Sequence, residues 1–163
     1  MKSQPLIELQ YYLFTKQIME EEFNYQLVPY NFAHCFNNQC PKAGMCLRNI
    51  AAQHCTNSYP TLRIINPACI TDNTDKCSHF LSAEKINVAW GIRNLFDNVP
   101  HKNVSVLKSQ MIAHFGRGKY YRFYRKECYL TPEDQAYIRQ LFQRYNYKDE
   151  PAFESFSKEF NWQ

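Results

Sequence analysis

Glycine is scarce in this chain, four residues among 163. So few argue against a glycine-rich phosphate loop or a dinucleotide fingerprint, which use several glycines to bring backbone N–H groups close to phosphate. A His-Glu-x-x-His helix and a Gly-x-Ser-x-Gly nucleophile elbow are missing as well. These absences weigh against the familiar enzyme classes and favour a binding protein, while leaving thiol or iron–sulfur redox chemistry open. No run approaches the ~18 consecutive apolar residues of a membrane span. The start, Met1-Lys2-Ser3-Gln4-Pro5, leads into a stretch broken by Glu8, Gln10, Lys16 and Gln17, unlike the apolar core of a secretion signal. A cytoplasmic protein without a membrane partner is the expectation.

An even cysteine count is also lacking. Seven cysteines in a reducing compartment read as thiols or metal ligands in place of a disulfide framework. Nor is the chain polar enough for disorder: 45% of residues are hydrophobic and 16% aromatic, which makes it globular except at its ends. Its length suits one compact domain or two small modules. Charge divides it further. Residues 1–81 hold six Lys/Arg and six Asp/Glu, residues 82–148 twelve against five, and residues 149–163 one against four. We therefore expect an N-terminal part ending near 81, a basic helical module over 82–148, and an acidic aromatic tail. The positive middle attracts phosphates or an acidic partner.

Ile7, Tyr11, Phe14 and Ile18 fall at helical spacing, so residues 6–22 are expected to form a helix with Glu20, Glu21 and Glu22 at its solvated end. From Leu27 to Phe80 the texture turns irregular. Within it Pro41 is placed to start a short helix from Lys42 to about His54, and Thr61–Ile65 is the best strand candidate. Ser82 is read as the cap of a helix carrying Val88, Ile92 and Leu95 and ending near Asn98 to Pro100. A further helix carries Val104, Leu107, Met111 and Phe115 and stops at Gly116. Thr131-Pro132-Glu133-Asp134 is the clearest helix start, followed by Ile138, Leu141, Phe142 and Tyr145 on one face. Phe153, Phe156 and Phe160, beside Trp162, are expected on one face of a tail helix docked on the body. The fold class is then mainly α: a small irregular cysteine-rich module, zinc-bound, packed on a helical bundle.

Cys35, Cys40, Cys46 and Cys77 form the pattern C-x4-C-x5-C-x30-C. Three thiolates from one irregular segment and a fourth from a distant loop suit a tetrahedral zinc site. His34, His54 or His79 can replace one cysteine, and Cys55 and Cys69 are spare. An iron–sulfur cluster is the alternative cofactor, since Cys-Pro, here Cys40-Pro41, also occurs in cluster-binding loops. The plainer alternative makes all the cysteines small apolar core residues.

Residues 117–126 read Arg-Gly-Lys-Tyr-Tyr-Arg-Phe-Tyr-Arg-Lys, five cations and four aromatics without an acid. Cations neutralise phosphates and aromatic faces stack on bases, so Arg117, Lys119, Tyr121, Arg122, Arg125 and Lys126 are the candidate nucleic-acid contacts, to DNA or RNA. In the competing reading Tyr120, Phe123 and Tyr124 fill the core and the arginines face water. The order helix, Gly116 turn, short helix from about Lys119 to Glu127, then the helix opening at Thr131 resembles the helix-turn-helix modules of phage-repressor-like regulators. That resemblance places Arg122 and Arg125, with Lys119 and Lys126, toward a DNA groove. A basic aromatic hairpin is the other geometry for these residues.

The segments Cys40-Pro-Lys-Ala-Gly-Met-Cys-Leu-Arg48, Ile65-Asn-Pro67, Cys77 with Phe80, His114-Phe-Gly116, Tyr120-Tyr-Arg122 and Leu130-Thr-Pro-Glu-Asp-Gln135 occur in that order. Together, from about Asn24 to Trp162, they resemble a domain-of-unknown-function family of small cysteine-containing proteins from gut anaerobes. The resemblance carries no activity; it supports Cys35, Cys40, Cys46 and Cys77 as the group of interest. This chain has Lys126-Glu127-Cys128 where a glycine turn is expected in such proteins. The functional expectation is a nucleic-acid-binding regulator with a structural metal, the alternatives being an adaptor for an acidic protein partner and an iron–sulfur or thiol redox protein.

Overall fold

The structure, a computed structural model, describes residues 23–56, 60–70, 77–147 and 149–162. The helix expected over residues 6–22 lies outside them. Two compact units emerge, one from residues up to Glu84 together with Trp162, the other from Lys85–Asn161. Among the described residues the chain is mostly helical, with four α-helices and one two-stranded antiparallel sheet. No helix among them is long and apolar enough to cross a membrane.

The first unit is irregular, as its composition suggests. Among its described residues the regular elements are single 3-10 turns at Tyr25–Leu27, Ala43–Met45 and Pro67–Cys69 and the helix α1, Leu47–Gln53. Two of the turns are set by local side chains: Asn24 and Asn66 accept from the N–H groups of Gln26 and Ala68, and Pro67 supplies the fixed φ of a first turn. The helix expected from Lys42 to His54 is interrupted. Cys46 is extended, at φ −101° and ψ 115°, and forms a bridge to Ser82, so α1 begins only at Leu47. The tertiary pairing there, with Leu47 N–H donating to the Leu81 carbonyl and Ala83 N–H to that of Met45, outweighs the helical pattern. The expected strand Thr61–Ile65 is reduced to a single bridge between Ile64 and His34, since no strand among the described residues continues the ladder beside it. Leu47, Ile50, Ala51 and Ala52 bury one side of α1, and Phe23 and Phe32 meet the Trp162 ring edge-on in the same unit.

The second unit opens with a correction. Residues expected as a helix from Ser82 form the strand β1, Lys85–Trp90, followed by a 3-10 turn at Arg93–Phe96. Val88, Ile92 and Leu95 are all buried as anticipated, but a strand and a turn bring them inward. Ile86, Val88 and Trp90 favour a pleated surface, and Gly91, at φ 76°, takes a conformation closed to most residues. A side chain at Gly91 would collide with the Glu154 carboxyl group. Ser82 bonds to the N–H of Glu84 in a local turn and caps no helix.

The helix α2, His101–Phe115, buries Leu107 and Met111 completely and stops at Gly116, at φ 79°. Helix α3, Arg117–Tyr124, follows at once. The hairpin alternative for this segment is thereby excluded. The joint is Gly116 alone, whereas a DNA-binding helix-turn-helix uses a turn of about three to four residues. Past α3, Lys126 adopts φ 60° where glycine is ordinarily favoured; its ammonium pairs with Glu154 at 2.8 Å. Helix α4, Pro132–Arg144, starts as the sequence indicates: Thr131 Oγ1 accepts from Asp134 N–H, and the Asp134 carboxylate accepts from Thr131 N–H. Ile138, Leu141 and Phe142 are buried.

The tail supplies the second correction. Residues expected as a helix form the strand β2, Ser155–Phe160, antiparallel to β1 with Lys85 opposite Phe160 and Trp90 opposite Ser155. The spacing of Phe153, Phe156 and Phe160 fits a helix, but Phe156 is 62% exposed and Phe160 6%, so no common face is buried. Trp90 Nε1–H donates to Ser157 Oγ at 2.8 Å, tying the strands diagonally. On its other side β1 exchanges two backbone hydrogen bonds, at 3.1 and 2.8 Å, between Ala89 and Leu130. The buried Gln135 amide closes that edge by donating to the carbonyls of Asn87 and Leu130.

Candidate functional site

Each unit carries one of the groups singled out by sequence. In the first, Cys35, Cys40, Cys46 and Cys77 all lie on the wall of one cavity of about 170 Å³. Cys69, expected to be spare, is a fifth thiol on that wall. All seven cysteines are free thiols; Cys46 is buried, Cys35, Cys40 and Cys77 are half-buried and Cys69 is exposed. Cys55 is not among the lining residues, and Cys128 belongs to the other unit, where burial pushes its thiol pKa up.

The loops bearing these thiols are held by two residues of α1. Asn49, 1% exposed, donates through Nδ2 to the carbonyls of Cys35 at 3.0 Å and Asn37 at 3.3 Å and to Asn38 Oδ1, and accepts from Gln53. Arg48 donates to the carbonyls of Ala33 and His79, both at 3.0 Å, with its guanidinium over the Phe32 ring. The Cys35 loop and the Cys77–Phe80 segment are thus fastened to one short helix. Arg48 closes a motif visible in the sequence, whereas nothing in the pattern marks Asn49 as more than a polar residue on a helix.

Of the three histidines considered as ligands, only His79 lines the cavity. His34 is buried with both ring nitrogens engaged: Nδ1 donates to the Arg63 carbonyl at 3.3 Å, so Nε2 accepts from the Tyr25 hydroxyl at 3.0 Å. His54 sits against the Phe23 ring. Among the described residues no three His, Cys, Asp or Glu side chains gather closely enough to hold one metal ion.

In the second unit α3 turns Tyr120 and Phe123 into the core. At ~100° per residue, Tyr121 and Arg122 point away from that side and Arg117 lies about a quarter-turn from it, with Arg125 just past the helix end; Tyr121 is half-buried and the arginines are exposed. Tyr124 is 42% exposed, so the reading of this segment as core holds for only two of its three aromatics. The cations divide by partner. Lys119 pairs with Asp134 at 3.3 Å and lies over the rings of Phe115 and Phe123; Lys126 pairs with Glu154; Arg125 pairs with Glu127 at 2.6 Å. These pairs hold the Glu127 and Glu154 carboxyls below their ordinary pKa, Glu127 through the Arg125 hydrogen bond and Glu154 through that of Lys126. Arg117 and Arg122 have no ion-pair partner among the described residues. Tyr121 is flanked by Lys108 at 5.7 Å and Arg117 at 5.9 Å. Arg93, which no sequence motif marks, stacks on Tyr124 at 5.5 Å; its distance along the chain hides it.

The chain belongs to the family of unknown function DUF6078, matching it over residues 19–162. No characterised protein and no solved structure matches it.

Proposed function

We propose that the protein is a non-enzymatic nucleic-acid-binding protein and that the outer face of α3 makes the contact. The observation that supports this reading is the pair Arg117 and Arg122, exposed and without ion-pair partners among the described residues, around a Tyr121 ring already accompanied by Lys108. Exposed cations that are not held in an ion pair release counterions when they meet phosphate, and a neighbouring aromatic ring offers stacking to a base. Lys119 and Lys126, engaged with Asp134 and Glu154, serve the fold; Arg125 serves both, since its partner Glu127 is itself exposed. In this reading α3 approaches the nucleic acid as the second helix of a helix-turn-helix does, with Gly116 giving an unusually tight joint.

The test is fluorescence anisotropy with labelled duplex DNA, single-stranded DNA and RNA across a salt series. Arg117→Gln with Arg122→Gln is expected to weaken binding to every sequence and to reduce the salt slope by about two, one for each phosphate no longer neutralised. A folded double variant with an unchanged slope removes the proposal. No affinity of the unaltered protein at low salt removes it too, and leaves an acidic protein surface as the partner this face suits.

A further inference from the structure

Apart from the cysteine-lined cavity, the first unit carries a larger groove of about 570 Å³ whose lining residues all belong to that unit. We propose that this groove binds a small organic anion, a phosphate or carboxylate joined to a flat ring, with Arg48 and Arg63 at the charged end. The proposal makes no use of α3.

The position of Arg48 is the first ground. Its guanidinium is fixed against residues that line the groove: Nε–H donates to the His79 carbonyl and Nη1–H to that of Ala33, both at 3.0 Å, while Cζ stands 5.0 Å from the centre of the Phe32 ring. The Trp162 ring, also on the wall, meets the same Phe32 ring edge-on at 5.1 Å. A cation and two rings are thus gathered at one place. The bonds to His79 and Ala33 leave Nη2 without a hydrogen bond among the described residues. The planar guanidinium fork suits the oxygens of a carboxylate or phosphate.

Charge is the second ground. Neither Arg48 nor Arg63 has an ion-pair partner among the described residues. The described residues of the first unit contain Lys42, Arg48 and Arg63 against a single carboxylate side chain, Glu84, which does not line the groove. A groove of this charge attracts anions, and an entering anion displaces no internal carboxylate.

Size and wall chemistry set the rest of the ligand. Pockets of roughly 300–1,000 Å³ take organic molecules, and an inorganic phosphate would fill only a small part of this one. Phe32, Trp162, Ile64 and Ile65 supply apolar wall for a ring. Asn66, whose Oδ1 accepts from Ala68 N–H, keeps its Nδ2 donors for the ligand. Arg63, Ile64 and His79 are exposed, so the groove is open to solvent.

The experiment is isothermal titration calorimetry of the full chain with phenyl phosphate, adenosine monophosphate and benzoate, each beside its neutral counterpart phenol, adenosine or benzamide, and with inorganic phosphate. At least one aromatic anion is expected to bind one-to-one, about tenfold or more tighter than its neutral counterpart and than inorganic phosphate. The phosphate and benzoate arms tell which anion is preferred. In NMR spectra the indole N–H signal of Trp162 should shift with ligand while that of Trp90, in β1 of the other unit, stays. Arg48→Lys and Arg63→Gln should each weaken binding by about tenfold. Arg63→Gln decides the matter if Arg48→Lys fails to fold, because the Arg63 side chain makes no hydrogen bond or ion pair among the described residues. No binding of any of the aromatic anions, equal binding of the neutral counterparts, a shift of Trp90 alone, or unchanged affinity in the folded variants overturns the proposal. Arg117→Gln with Arg122→Gln should leave this affinity as it was; a loss there assigns the binding to α3 and overturns the proposal too.

Discussion

Asn49 shows how much one side chain carries where the described residues of a unit hold little regular structure. Its amide satisfies two loop carbonyls that α1 cannot reach with its own backbone. Asn49→Ala leaves these acceptors without a donor, and we expect a loss of about 1–3 kcal/mol in urea denaturation. Asn49→Asp should cost more, since it sets a carboxylate against carbonyl oxygens; an unchanged midpoint in both would show that the loops hold themselves. Tyr120 offers a second test. Burial, with smaller contributions from Tyr121 and Tyr124, pushes its phenol from an ordinary 10.0 up to about 12. Its folded pKa is raised, so the contribution is fully present below pH 10 and is lost as pH rises from there toward 12, where the unfolded chain ionises first. Stability should therefore drop by about 1 kcal/mol between roughly pH 10 and 11 on this account, and Tyr120→Phe should flatten that part of the profile. At this scale the four cysteines are legible from their spacing, while Asn49 and Cys69 are not: a residue whose partners are backbone carbonyls of another loop leaves no periodic trace.

The elements divide by how locally they are determined. Helix α4 is announced by Thr131, Pro132 and Asp134, residues whose interactions lie within one turn of each other, and it forms where they say. Thr131→Ala is expected to lower stability by about 1 kcal/mol, with Thr131→Ser close to neutral, as read by thermal or urea unfolding; an equal loss in both would assign the effect to packing of the methyl group. Helix α2 is legible for the same reason, its apolar spacing ending at a glycine. Strands β1 and β2 look like helices in sequence because three apolar residues at i, i+4 and i+7, or i, i+3 and i+7, satisfy a helical template as well as they satisfy burial from a strand and turn. Some 70 residues separate the strand partners Lys85–Trp90 from Ser155–Phe160, and pairing at that distance has no signature in either segment alone. Proline and cysteine mislead similarly at Cys46, where a bridge to Ser82 holds an extended residue inside a helical pattern.

At the scale of the molecule, two cores of different kind are present. The second unit rests on Leu107, Met111, Phe123, Leu130 and Ile138, all fully buried; the described residues of the first hold one short helix and loops fastened by Asn49 and Arg48. If a structural metal is bound in the first unit, as the cysteine spacing leads one to expect, its removal by chelation under reducing conditions should speed hydrogen exchange through the described residues of 23–84 while amides of 85–161 keep their protection. Equal acceleration in both would mean that the two unfold together, and no change would make the metal incidental. Composition, charge blocks, cysteine spacing and the locally capped helices α2 and α4 were determined by the sequence itself, because each depends on residues within a few positions or on totals along the chain. Tertiary structure alone decided that residues 85–90 and 155–160 are paired strands, that Cys69 joins the four cysteines around one cavity, and that Lys119 and Lys126 turn to Asp134 and Glu154 while Arg117 and Arg122 stay without ion partners among the described residues. Those outcomes depend on which distant groups meet, and strand pairing, cavity walls and ion pairs are made between residues that the chain brings together only when it folds.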